Sequence, residues 1–125
     1  MLKDHDSSAI LAVDDLDRAR DFYSNLLGLE LADEGKEAGV LIYRTGATRL
    51  VVYRSEHAGT NRANAIVWGV GEELDAIVAA LEAKGASFKH YTGIGRLEGN
   101  IHHAGGAKLA WLKDPDGNVL HINSM

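Results

Sequence analysis

The sequence contains one pattern twice. Ser8-Ala9-Ile10-Leu11-Ala12-Val13 leads into Asp14-Asp15, a helical stretch, Gly28 and Leu29-Glu30-Leu31. Ala65-Ile66-Val67-Trp68-Gly69-Val70 leads into Glu72-Glu73, a second helical stretch, Gly85 and Ala86-Ser87-Phe88. Val13 and Val70 stand 57 residues apart, and so do Gly28 and Gly85. A unit of that length has too little apolar surface to close a core alone, so each copy has to fold with the other. A chain of 125 residues therefore reads as one domain, residues 1–125, made of two pseudo-repeats, 7–54 and 64–124.

Each copy carries its own local signals. Leu16, Ala19, Phe22 or Tyr23, and Leu26 or Leu27 recur at helical spacing after an Asp14 or Asp15 cap, and Gly28 closes the helix in a left-handed conformation. Leu74, Ile77, Val78 and Leu81 form the same stripe behind Glu72 and Glu73, with Gly85 at the end. Both predict one-sided helices of about three turns lying on a sheet. Val40–Tyr43, the Thr45-Gly46 turn and Arg49–Tyr53 predict a hairpin in the first copy. Lys108–Leu112, the turn Asp114-Pro115-Asp116-Gly117-Asn118 and Val119–Ile122 predict its counterpart. Each copy is thus βαβββ, and Arg54–Asn64, polar and glycine-containing, is the linker between them.

Composition excludes several function classes. Thirteen basic residues against eighteen acidic ones give a net charge of −5, the wrong sign for a surface that holds nucleic acid or anionic lipid. No apolar run approaches a membrane span, and the polar start Met1-Leu2-Lys3-Asp4-His5-Asp6 does not read as a secretory leader. The absence of cysteine removes disulfides, thiolate metal sites and cysteine nucleophiles. A cytoplasmic protein without nucleic-acid or membrane partners is the expectation.

The run Val13-Asp14-Asp15-Leu16-Asp17-Arg18-Ala19 through Phe22-Tyr23 to Leu26-Leu27-Gly28-Leu29, with Ala110-Trp111-Leu112-Lys113-Asp114-Pro115-Asp116-Gly117-Asn118-Val119-Leu120, resembles the vicinal oxygen chelate superfamily, the glyoxalase, bleomycin-resistance and extradiol-dioxygenase group. The resemblance spans nearly the whole chain. It implies an α+β fold of two tandem βαβββ modules, a curved mixed sheet around a cavity with helices on the outer face. It also implies a homodimer. Function is not implied, because this fold hosts lyases, dioxygenases, transferases and proteins that only sequester drugs.

The family's enzymes hold a divalent metal with His, Gln or Glu from the first and last strands of each module. Carried over residue by residue, those positions fall on Ser8, Val51 (or Tyr53), Ala65 and His121. Of these only His121 is a good ligand, so the expectation is a protein without a family-type metal site, although a divalent metal stays open.

Strand alternation places Ser8, Ile10, Ala12, Val51, Tyr53, Ala65, Val67, Gly69, Val119, His121 and Asn123 on the inward face, with Leu11, Val13, Leu50, Val52, Ile66, Trp68, Leu120 and Ile122 toward the helices. Lys113 shares a face with Leu109 and Trp111, which makes Trp111 the expected cavity aromatic. Ser8, Val51, Tyr53, Ala65, Val67, Trp111 and His121 are the expected ligand-binding residues, for a flat or amphipathic small molecule.

The glycine-rich segment Gly93–Gly106 is not a dinucleotide fingerprint, and its adjacent His102 and His103 read as partly solvated loop or edge residues. The competing enzyme reading is a glyoxalase-like lyase or dioxygenase-like oxidoreductase that uses His121 with His102 or His103, either on a metal or as acid and base. The missing ligands favour binding over catalysis. His5, His57 and His90 read as surface residues, and Arg44, Arg49 and Arg54 as solvated strand-end charges.

Overall fold

A computed structural model of the chain describes residues 1–34 and 39–125. The chain is α+β and divides into two compact units, Met1–Asn61 and Arg62–Met125.

The first unit runs β1 (Ala9–Val13), α1 (Leu16–Arg20), β2 (Glu30–Asp33), β3 (Val40–Thr45) and β4 (Thr48–Arg54), with the sheet order β1-β4-β3-β2. β1 lies parallel to β4, and the other pairs are antiparallel. Asp15 caps α1 by accepting from the Arg18 backbone N–H at 3.1 Å. The helix does not stay α-helical for three turns. From Asp21 to Leu26 it widens into a π-helix, and the Leu27 N–H reaches back five residues to the Phe22 carbonyl. The wider turn leaves Tyr23 fully buried, its ring 5.9 Å from that of Tyr43, whose hydroxyl lies 2.9 Å from Ser24 Oγ. Gly28, at φ 72°, then turns the chain into β2.

Alternation separates the faces of this sheet as the pattern predicts. Leu11, Val13, Leu41, Tyr43, Leu50 and Val52 are buried on the face where α1 meets β3 and β4. Each such side chain contributes about 1.5–3 kcal/mol of transfer free energy. Ile10, Val51 and Tyr53 lie on the other, open face.

The second unit runs β5 (Asn64–Gly69), α2 (Leu74–Ala83), β6 (Phe88–Lys89), β7 (Arg96–Glu98), β8 (Ile101–Ala104), β9 (Ala107–Lys113) and β10 (Val119–Asn123). β5 is parallel to β10, β10 antiparallel to β9, and β9 is flanked along its other edge by β8 and β6. Relative to the first unit, β7 and β8 are an added hairpin. Glycines at positive φ, Gly95 and Gly99 among them, let Arg96–Ala104 fold back on itself where the sequence suggests only loop or edge.

α2 follows a 3-10 turn at Gly71–Glu73 and buries Leu74, Val78 and Leu81, while Leu112, Leu120 and Ile122 fill the helix-side face of the sheet. The β9–β10 turn closes on Asp114. Its Oδ1 accepts from the Asp116 and Asn118 backbone N–H groups at 2.9 Å, and its Oδ2 accepts from Asn118 Nδ2 at 2.8 Å. No described helix is long and apolar enough to cross a membrane.

Candidate functional site

The open face of the second sheet carries a cluster of rings. His121 on β10 is directly opposite Trp111 on β9, so both side chains leave the sheet on one side, and the rings stack at 4.6 Å with 16° between their planes. Tyr91 meets the same indole edge-on at 4.9 Å, and His102 does so at 5.2 Å. Trp111 is only 6% exposed as a result. It is the packed centre of the cluster, and half-buried His121 is the ring that covers it.

Hydrogen bonds define the state of both imidazoles. His121 Nδ1 lies 3.1 Å from the Ala110 carbonyl oxygen, which can only accept, so Nδ1 carries the proton and donates. Its Nε2 accepts from Asn123 Nδ2 at 3.3 Å, and Asn123 Oδ1 in turn accepts from the Met125 backbone N–H at 3.1 Å. His102 is arranged in the same way: Nδ1 donates to the Ile94 carbonyl at 2.9 Å, and Nε2 accepts from the Tyr91 backbone N–H at 3.3 Å. Both nitrogens of both rings are occupied, and both rings are held as the same neutral tautomer.

His102 is therefore not the partly solvated loop residue expected from the sequence. At 1% exposure it pins the segment between β6 and β7 onto β8. His103 points the other way, as neighbouring strand residues must, and its Nε2 lies 3.7 Å from Glu98 Oε2. That glutamate also accepts from Arg96 Nη1 at 2.6 Å. The hydrogen bond, with the Arg96 and His103 charges, holds its carboxyl below the usual glutamate value. Trp111 and His121 come together, His102 joins them at the indole edge, and His103 lies on the opposite face. Tyr91 and Asn123 complete the cluster; Tyr91 had no signal beyond being an aromatic residue shortly after a strand.

The remaining expected residues lie along the first and last strands of each unit. Ser8 is exposed just ahead of β1, Val51 and Tyr53 are half-buried on β4, and Val67 is opposite His121. Ala65 falls where the β5–β10 register shifts: Val119 pairs with Asn64 and Leu120 with Ile66, which leaves Ala65 at a bulge.

Residues 7–122 match the model of the glyoxalase/bleomycin resistance protein/dioxygenase superfamily. The chain belongs to this superfamily. No curated protein matches it. Among solved structures, a lactoylglutathione lyase from Agrobacterium tumefaciens is 18% identical with a TM-score of 0.71, over 95% of this chain and 92% of that one. A glyoxalase/bleomycin resistance protein/dioxygenase from Alicyclobacillus acidocaldarius is 22% identical, TM-score 0.72, over 95% and 89%. The fosfomycin resistance protein FosX from Listeria monocytogenes is 14% identical, TM-score 0.66, over 97% and 90%. At these identities the likeness shows the shared fold.

Membership in the glyoxalase/bleomycin resistance/dioxygenase superfamily raises the question of its metal. At the four positions to which the resemblance carries its ligands this member has Ser8, Val51 (or Tyr53), Ala65 and His121. Valine and alanine have no lone pair to give, a neutral serine is a weak donor, and the His121 nitrogens already serve Ala110 and Asn123. Among the described residues no three His, Asp or Glu side chains gather into a metal-holding group. This donor set does not fit a family-type metal.

Proposed function

We propose that this member of the superfamily binds a small flat or amphipathic molecule, without a family-type metal and without transforming it. The observation that carries the reading is the commitment of His121: the single residue of ligating type at the four family positions is stacked on Trp111 and hydrogen-bonded through both nitrogens. The open faces support binding by contact. Ile10 and Val67, 57 residues apart in the repeat, are 62% and 59% exposed although each is an aliphatic residue in a strand. Aliphatic side chains left uncovered at equivalent places in both sheets suit an apolar ligand. No observation favours the enzyme reading, since His102 and His103 offer no free acid/base partner beside His121. A homodimer, as the family resemblance implies, and a cytoplasmic location, as the composition suggests, complete the proposal.

Metal analysis of the purified protein, followed by thermal unfolding with added Mn, Fe, Co, Ni or Zn, tests the reading. The expected result is no stoichiometric metal and no metal-dependent rise in the midpoint, with saturable binding of the neutral aromatic probe N-phenyl-1-naphthylamine. Stoichiometric metal that disappears in His121→Ala would overturn it. Light scattering gives the oligomeric state, and cell fractionation the location.

A further inference from the structure

The open face of the first sheet is graded along its strands. Leu50 and Val52 are buried, so Arg49, Val51 and Tyr53 project to the other side. The register then defines three rows. Tyr53 lies between Ala12 and Val40, and Val51 lies between Ile10 and Ile42. Arg49 is directly opposite Arg44, which is opposite Glu30. Ser8 immediately precedes Ala9, the partner of Leu50, so the chain carries it toward the Arg49 end of β4. Successive rows are about 7 Å apart.

The arginine row is electrostatically incomplete. Like charges directly across an antiparallel pair repel, and this row sets one carboxylate, Glu30, against two guanidinium groups. Glu30 Oε1 takes Arg44 Nη1 at 3.2 Å. Arg49 is exposed, and its guanidinium has no hydrogen-bond or ion-pair partner among the described residues, in a chain with eighteen acidic side chains. Next to this unmatched cation lies an aliphatic row whose Ile10 is 62% exposed.

We propose that Arg49 anchors the head group of the bound molecule, which is therefore an organic anion. A carboxylate or sulfonate is held by the guanidinium fork at the Ser8 end, and the flat or aliphatic body lies over Ile10, Val51 and Ile42 toward Tyr53. This assignment rests on the small-molecule reading above and adds to it the charge and polarity of the ligand.

A matched pair of probes separates the two. 1-Anilinonaphthalene-8-sulfonate has the body of N-phenyl-1-naphthylamine plus one sulfonate. The folded protein is expected to bind the sulfonate tighter by about three- to tenfold, with a preference that falls as salt is raised. Arg49→Gln should bring the affinity ratio close to one, Arg49→Lys should keep part of it, and Ile10→Ser should weaken both probes. Variants are compared at unchanged thermal midpoint, and Arg49→Thr, a residue suited to strands, replaces Gln if that midpoint drops. A salt-independent wild-type ratio, or one that survives Arg49→Gln, overturns the anion anchor and leaves the binding reading intact. Binding of neither probe overturns both.

Discussion

The imidazole of His121 lies flat on the indole of Trp111, 4.6 Å away and 16° from parallel. The contact joins directly opposed residues on β10 and β9. Removing the ring uncovers Trp111 and leaves the Ala110 carbonyl and the Asn123 amide without their partner. His121→Ala is expected to lower unfolding stability by about 1–3 kcal/mol and to shift tryptophan emission to longer wavelength. His121→Phe restores the stacking but not the hydrogen bonds, and should recover part of the loss and most of the emission shift. Urea unfolding followed by fluorescence measures both.

The buried His102 side chain ties the Tyr91 N–H and the Ile94 carbonyl to β8. Its loss leaves one part-buried N–H and one carbonyl unmatched and opens a void beside Trp111. His102→Ala should cost about 2–4 kcal/mol, and the Tyr91 amide should exchange with solvent faster than amides of the β9–β10 ladder. Unchanged protection at Tyr91 would show that the loop holds without the imidazole.

Two glycines of the β7–β8 hairpin should respond differently to alanine. At Gly95, φ 53°, an added Cβ would lie 2.1 Å from the His103 carbonyl oxygen and 2.8 Å from Ala104 Cβ. At Gly99, φ 62°, nothing lies within 4 Å. Gly99→Ala pays only for its backbone conformation, about 1–2 kcal/mol. Gly95→Ala adds a backbone collision, and a loss of at least about 3 kcal/mol is expected by chemical denaturation.

Glu98 gives the hairpin a pH-dependent contribution. Its carboxyl is held below its ordinary value of 4.5, first by the Arg96 hydrogen bond and then by the Arg96 and His103 charges. A depressed folded-state value stabilises above the unfolded value, and that stability disappears as pH falls through the folded one. Thermal midpoints of wild type and Glu98→Gln should therefore differ slightly near neutrality and converge as pH is lowered from about 6 to about 3. The group is fully exposed, so added salt should shrink the gap.

Much of the fold was legible because its signals are local. The Asp15 cap, the left-handed Gly28 and Gly85 and the alternation that buries Leu50 and Val52 depend on residues a few positions apart. The π-helical widening at Asp21–Leu26 was not legible, since the apolar stripe there fits an α-helix equally well. Nor was the β7–β8 hairpin, whose strands are only three and four residues long and lie among many glycines.

The sequence by itself determined the two copies and their strand faces, because residue identity and near-neighbour spacing carry both; that Ser8, Val51 and Ala65 stand at ligand positions is what the family resemblance implies. Only the tertiary structure decided what the histidines are. His102 became a buried tie and His121 a neutral ring stacked on Trp111, through partners eight to eleven residues away that no local period links to them. A tautomer and a ring stack are fixed by which groups converge in space, and strand pairing sets that convergence.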